Sequence, residues 1–450
     1  MDTLLDLPVR LLAASISSGK TTSQIVTRGF LNRVAAREKT LAAWAFIDNE
    51  KALADARQVE AMPVSRLKGI PIGVKDIIDT ADMPTSYGSA VYAGFRPAAD
   101  AACVALARAA GAVVLGKTVT AEFALASQGP TRNPVNEAHT PGGSSSGSAA
   151  AVAAGMVPLA LGSQTGGSLI RPAAYCGVVG YKPSFGLIDR CGTKPLANSL
   201  DTLGVIARSV DDAAYFAETL MRRQLLDKSM PKRLRVGLYG VERWSHLSVA
   251  TRDALHQAAA AFKRAGASLV EMREFPQHEA LQQAHQTIAH WEITAALAFE
   301  CNHYLPRLRV LTQAYLSDTP PLYEAYEAAR ALAATARAGL AARFGQCDVL
   351  LAPAVSGEAP EGIEHAGDPI HCLMWTLLHA PCLTLPVTKG PLGLPVGVQL
   401  IGRIRDDPRL LAAGMVLEQA LVQSHEPSLA TGERPLYHNG KSLFQTEVTQ

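Results

Sequence analysis

Residues Pro141 to Ser184 read PGGSSSGSAAAVAAGMVPLALGSQTGGSLIRPAAYCGVVGYKPS. The glycine- and serine-rich opening, Pro141 to Ser148, is a loop, and the alanine run behind it is a helix ending near Gly155. Val157 to Leu161 is then a short apolar strand. A similar succession lies upstream. Leu67 to Asp76 is an apolar run ended by two charges, which suits a strand whose charged end lies at the rim of a sheet. Asp100 to Ala110 is helical, Gly111 stops it, and Ala112 to Leu115 is a buried strand. Strands alternating with helices define an α/β layered domain.

Farther out, Leu4 to Arg57 reads as helices, with Gln24 to Leu31 placing its apolar side chains on one face. Val210 to Phe344 is mostly helical, interrupted by a strand at Leu234 to Leu238. Strands return at Val349 to Leu351, Cys382 to Leu385 and Gly397 to Leu400. Neither a repeat nor a low-complexity linker divides the 450 residues, so one domain with a helical middle section is expected.

Hydrophobic residues make up 48% of the chain and charged residues only 18%, which excludes a disordered protein and calls for a large interior. The 42 Lys and Arg nearly balance the 40 Asp and Glu, giving no electrostatic reason for a nucleic-acid or anionic-membrane partner. Seven cysteines, scattered and without a CxxC pair, point to neither zinc nor a redox motif and suit buried thiols in a reducing compartment. The acidic start, Met1 to Arg10, is not a secretory signal. The uncharged stretch His139 to Ile170 is broken by proline, glycine and serine and reads as buried rather than membrane-spanning. A cytoplasmic protein without metal or cofactor is expected.

Several local patterns invite other chemistry. Gly111 to Thr118 fits the P-loop pattern GxxxxGK[ST], but a helix precedes its first glycine and its middle is strand-like, the reverse of a phosphate cradle. Gly143 to Gly147 fits the nucleophile elbow GxSxG with Ser145 as nucleophile, yet no strand leads into it. Ser17 to Lys20 and Ser65 to Lys68 match SxxK without the partner motifs of penicillin-recognising enzymes. His278, His285, His290 and His303 lack metal-ligand spacing and read as solvated or capping helix residues.

The block from Pro141 to Ser184 closely resembles the signature region of the amidase-signature family. LKGIPIGVKDIIDT, Leu67 to Thr80, resembles that family's lysine segment, and GLPVGVQLIG, Gly393 to Gly402, its C-terminal segment. The resemblance implies a single amidase-signature domain over residues 1–450, with a mixed central β-sheet flanked by helices on both faces. Its parts would be a helical 1–60, a signature core 61–210, a mainly helical 211–345 and a returning core 346–425. It makes Ser168 the nucleophile, Ser144 the bridging serine behind a cis Gly143–Ser144 peptide, and Lys75 the base. The two serines are 168 − 144 = 24 residues apart, the family's interval.

The chemistry such a set needs is elementary. A serine hydroxyl is a weak nucleophile until a base takes its proton, and no histidine lies within the block. A lysine serves only when neutral, which burial favours, and a hydroxyl can donate and accept at once, so Ser144 could relay between Ser168 and Lys75. Backbone amides of Thr165, Gly166, Gly167 and Ser168 could converge on a developing oxyanion. Taken singly, each residue has a plainer reading: Ser168 as a helix N-cap, Ser144 and Ser145 as loop residues, Lys75 as an exposed strand end.

Many family members read D-T-G-G-S-I-R-x-P, whereas this chain has Gln164 in place of the acid and Arg171 three residues after Ser168. In this it is similar to malonamidase, whose arginine at that place holds a substrate carboxylate. Arg171 is thus either a carboxylate clamp or a structural residue bonding carbonyls or Asp201. His371, Met374 and Trp375 are candidate pocket residues. The expected activity is amidase cleavage of a small-molecule amide, with a homodimer as assembly and neither nucleic acid nor membrane as partner. An A subunit of a tRNA-dependent amidotransferase is the alternative, and a nucleotide-binding protein using Gly111 to Thr118 a distant one.

Overall fold

In the computed structural model, residues 2–63, 65–226 and 233–423 are described; Met1 and residues 424–425 of the expected core boundaries lie outside them. Eleven strands form one sheet: β1 (Trp44–Ile47), β2 (Pro71–Lys75), β3 (Val113–Thr118), β4 (Leu159–Gln164), β5 (Val179–Lys182), β6 (Thr202–Ala207), β7 (Arg235–Tyr239), β8 (Ser268–Met272), β9 (Val349–Pro353), β10 (Cys382–Lys389) and β11 (Pro395–Ile401). Their order is β1-β3-β2-β4-β6-β5-β10-β11-β9-β7-β8. The sheet is mixed. β3, β2 and β4 are parallel neighbours, as are β9, β7 and β8, while β4–β6–β5–β10–β11–β9 runs antiparallel. Every residue of β2, β3, β4, β5, β6 and β11 is buried, which requires cover on both faces. Helices supply it, so the expected α/β class and its two-sided layering stand.

The expected elements recur with shifted ends. The alanine run folds as the helix Ser146–Ala153, closed by Gly155 at φ +68°, and the strand after it begins at Leu159. β1, β5 and β6 were not anticipated, and β8 together with β7 gives the middle section two strands rather than one. Gly111, at φ +87°, separates the helix Ala102–Ala109 from β3. The P-loop pattern is therefore a helix stop and a core strand.

The parallel trio sets up the site. In register, Ile72, Gly73 and Val74 of β2 pair with Leu159, Ala160 and Leu161 of β4, and Lys75 pairs with Thr118 of β3. The three strands therefore end at one edge, and their carboxyl ends deliver Lys75, the Ser163–Gln164 end of β4 and the chain after Thr118 to one place. Carboxyl edges of parallel strands are where such sheets present their chemistry.

Candidate active site

Lys75 is fully buried, and its Nζ lies 2.8 Å from Ser144 Oγ and 2.8 Å from Ser163 Oγ. The exposed-strand-end reading of this lysine is overturned, because β2 is an interior strand. Burial pushes the ammonium pKa well below its usual 10.5; Asp201 opposes the shift and Arg171 adds to it. Ser163 went unrecognised in the sequence. It looked like an ordinary residue at the end of β4, and only the β2–β4 register brings it to the lysine.

The Gly143–Ser144 peptide is cis. Its loop is pinned by backbone bonds: Ala121 N–H donates to Ser144 O at 3.2 Å, Ser145 N–H to Ser168 O at 3.1 Å, and Gly147 N–H to Val119 O at 3.0 Å. Ser145 itself is buried, and its Oγ donates to Ser163 O at 3.2 Å. With no strand before it, Ser145 does not sit on an elbow. Ser168 lies at the turn between β4 and the helix Ile170–Cys176, one bond from the Ser144 loop. Its Oγ has no hydrogen-bond partner among the described residues, and it does not cap the helix. Gln164 does that, its Oε1 accepting from Leu169 and Ile170 N–H at 3.0 Å each.

The turn Thr165–Ser168 is fastened from outside. Thr165 Oγ1 donates to Asp201 Oδ1 at 2.6 Å, His285 Nε2 meets Thr165 O at 2.7 Å, and Thr376 Oγ1 donates to Gly166 O at 2.8 Å. None of the amide N–H groups of residues 165 to 168 donates to another described group. They are unpaired donors among the described residues. Gly166 and Gly167 face Pro369, Cys372 and Leu373 so closely that a Cβ on either would press on the helix Ile370–Leu377.

Two expectations are corrected here. His285 is buried rather than solvated, and burial pushes its pKa down to about 4. His371 and Trp375 are turned elsewhere, His371 Nε2 towards Ser356 Oγ at 3.2 Å and Trp375 against Tyr239 and Phe275. The residues of that helix that meet the turn are Cys372, Leu373 and Thr376, because helical phase puts 372/373 and 376 on one side.

Arg171 is buried, and its Nη2 donates to Gly143 O at 2.7 Å. Its Nε and Nη1 have no partner among the described residues, and no described carboxylate lies within ion-pair reach. Asp201 is committed to Thr165 and to the Leu196 and Ala197 amides instead. Beside Ser163 and Thr165 opens a cavity of about 430 Å³, lined also by Ala124, Arg190, Cys191 and Asp201, a usual size for a small-ligand pocket. Cys191 is exposed, unlike the buried thiols expected. Lys117, the P-loop lysine, is buried against Asp76 Oδ1 at 3.1 Å and donates to Ile78 O at 2.7 Å and Thr85 Oγ1 at 2.6 Å, which leaves nothing to hold phosphate.

The mixed eleven-stranded sheet carries the Gly/Ser-rich turn at the end of β4. The family model described as Amidase matches residues 25–411, and the chain belongs to the amidase-signature family. Among its relatives, the A subunit of glutamyl-tRNA(Gln) amidotransferase from Rhodopirellula baltica is 33% identical, over 90% of this chain and 94% of that one. Native peptide amidase from Stenotrophomonas maltophilia superposes with a TM-score of 0.79 at 32% identity, covering 93% of this chain and 97% of the other. The A subunit of glutamyl-tRNA(Gln) amidotransferase from Thermotoga maritima superposes with a TM-score of 0.73 at 27% identity, covering 88% and 91%. No helix among the described residues is long and apolar enough to cross a membrane.

Proposed function

We propose that the chain cleaves carboxamide C–N bonds with Ser168 as nucleophile, Ser144 as relay and Lys75 as base. The observation that carries this is the buried Lys75 held 2.8 Å from Ser144 Oγ, where a depressed pKa keeps the amine able to accept a proton. As Ser168 Oγ bonds to the amide carbon, its proton passes to Ser144 and that of Ser144 to Lys75. The carbonyl oxygen gains negative charge against the free amides of the 165–168 turn. When the C–N bond breaks, Lys75 returns the proton through Ser144 to the leaving nitrogen. Water then attacks the acyl-enzyme by the same relay, releasing the acid. Ser163, bonded to Lys75 Nζ, orients the amine so that its lone pair faces Ser144.

Two readings of the substrate differ in their support. The two free donors of Arg171 suit a substrate carboxylate near Gly143, which favours a small carboxylate-bearing amide. The curated relatives favour an amidotransferase A subunit, and they weigh more for that reading than Arg171 does for a free-standing amidase. The two meet in glutamine, an amide that itself bears a carboxylate. Treating the protein with a small fluorophosphonate and sequencing the labelled peptide tests the shared chemistry. Label on Ser168, lost in Lys75→Ala, is expected; label on another residue overturns the assignment. Glutamine hydrolysis that appears only with partner subunits then selects the amidotransferase reading, and hydrolysis by the chain alone selects the free-standing one.

A further inference from the structure

Two of the three carbonyls of the Thr165–Gly166–Gly167 turn, those of Thr165 and Gly166, are each held by a side chain from outside the signature block. His285 comes from the helix His278–Ala296 and Thr376 from the helix Ile370–Leu377. A carbonyl oxygen only accepts, so the proton shared at 2.7 Å between His285 Nε2 and Thr165 O belongs to Nε2. The ring's other nitrogen, Nδ1, is buried without a partner. A residue there merely to fill space would not leave a polar atom bare, since buried polar atoms are nearly always paired. What the histidine supplies here is its Nε2–H. Thr376 is as specific, for its hydroxyl accepts from Gln164 Nε2 at 3.0 Å while donating to Gly166 O at 2.8 Å.

Peptide planarity gives these bonds a consequence. In a trans peptide the C=O of one residue and the N–H of the next share a plane and point in opposite directions. Holding Thr165 C=O therefore aims Gly166 N–H, and holding Gly166 C=O aims Gly167 N–H. Glycine has the least resistance of any residue to rotation about its own φ and ψ, so without the two clamps this turn would be free to swing its amides away. We propose that His285 and Thr376 are positioning residues that aim the Gly166 and Gly167 amides at the oxyanion of the reacting amide. The inference rests on Ser168 being the nucleophile; both side chains act through the carbonyls of the turn.

The test is the rate at which a small fluorophosphonate labels Ser168, because the phosphonyl oxygen needs the same amides. His285→Leu keeps bulk and loses the donor; His285→Gln restores a donor at about the same reach. Thr376→Val and Thr376→Ser form the matching pair, and serve if His285→Leu does not fold. Removing a direct oxyanion donor costs about 100- to 1000-fold, so misaiming one by His285→Leu or Thr376→Val should slow labelling by about tenfold or more. The Gln and Ser variants should recover most of that loss, and the pH of half-maximal labelling should stay where it is in the parent, because Lys75 is untouched. Equal slowing in the donor-less and donor-restored variants, labelling at the parental rate in His285→Leu and Thr376→Val, or a displaced pH profile would each overturn the inference. Failure of the parent protein to label at Ser168 would instead overturn the nucleophile assignment, and this inference with it.

Discussion

At the scale of single residues, Lys75 and Arg171 are tied by charge inside the buried site. Burial depresses the lysine pKa, and the Arg171 guanidinium lowers it further. In the proposed mechanism the base is the neutral amine, so reactivity should rise with pH through that depressed value and level off below 10.5, the ordinary value for lysine. Arg171→Met removes a neighbouring positive charge, makes the ammonium easier to keep, and should move the rising limb towards alkaline pH by up to about one pH unit. Fluorophosphonate labelling of Ser168 across pH reads this without involving a substrate carboxylate; a limb that stays in place would show Arg171 to be uncoupled from the base. Lys75, Ser144 and Ser168 were legible because the resemblance names them at their own positions. Ser163 and His285 were not. One depends on which strand lies beside β2, the other on a helix 120 residues away reaching Thr165, and no local pattern announces either.

Among elements, legibility followed length and punctuation. The helix Ser146–Ala153 and the strands β2 to β4 each start close behind or at a Gly or Pro and have clear apolar runs, so their existence was readable and only their ends moved. β1 and β5 have four residues each, and β8 lies half-buried at the sheet's edge; such pieces are stabilised by their neighbours rather than by their own pattern. Packing between elements is similarly invisible from one chain segment. A Cβ on Gly147 would collide with the backbones of Ala43 and Val119, so the first turn of its helix rests directly on the chain beside β1 and β3. Gly147→Ala must displace that turn and with it the Ser144 loop. It should destabilise by about 1–3 kcal/mol in urea unfolding and slow labelling of Ser168. Gly339, within the helix Tyr323–Arg343, has nothing within 4 Å of an added Cβ. There the same substitution should stabilise by about 0.5–1 kcal/mol, since alanine loses less freedom in a helix. Equal effects at the two positions would deny that close approach sets the Gly147 requirement.

For the whole molecule, the class of fold was readable from alternating elements, but the strand order was not. Nothing within β6, for instance, says that it inserts between β4 and β5, because pairing is decided by where the connecting helices pack. The same long-range logic joins the two described ends of the chain. Arg208 donates to Leu5 O at 2.8 Å and Leu7 O at 2.7 Å, Asp212 accepts from Val9 N–H at 2.7 Å, and Glu418 of the helix Asp407–Gln423 accepts from Val210 N–H at 3.1 Å. Burial raises Glu418 from 4.5 to about 8 and Asp212 from 3.8 to about 6. Well below the ordinary values of 3.8 and 4.5, folded and unfolded chains both carry these protons, and the pair costs nothing. As pH climbs, the unfolded chain releases them first, so stability falls across the interval up to pH about 8, where Glu418 ionises in the folded protein too. Each tenfold difference in proton affinity between the two states corresponds to about 1.4 kcal/mol, which makes the loss on the order of a few kcal/mol. Glu418→Gln keeps an acceptor for Val210 and cannot ionise. Its unfolding free energy, followed in urea from pH 5 to pH 8.5, should decline less steeply than the parent's, and the gap should widen towards the alkaline end. Parallel curves would mean that Glu418 is solvated in solution and that the ends of the chain are joined less tightly than these hydrogen bonds require.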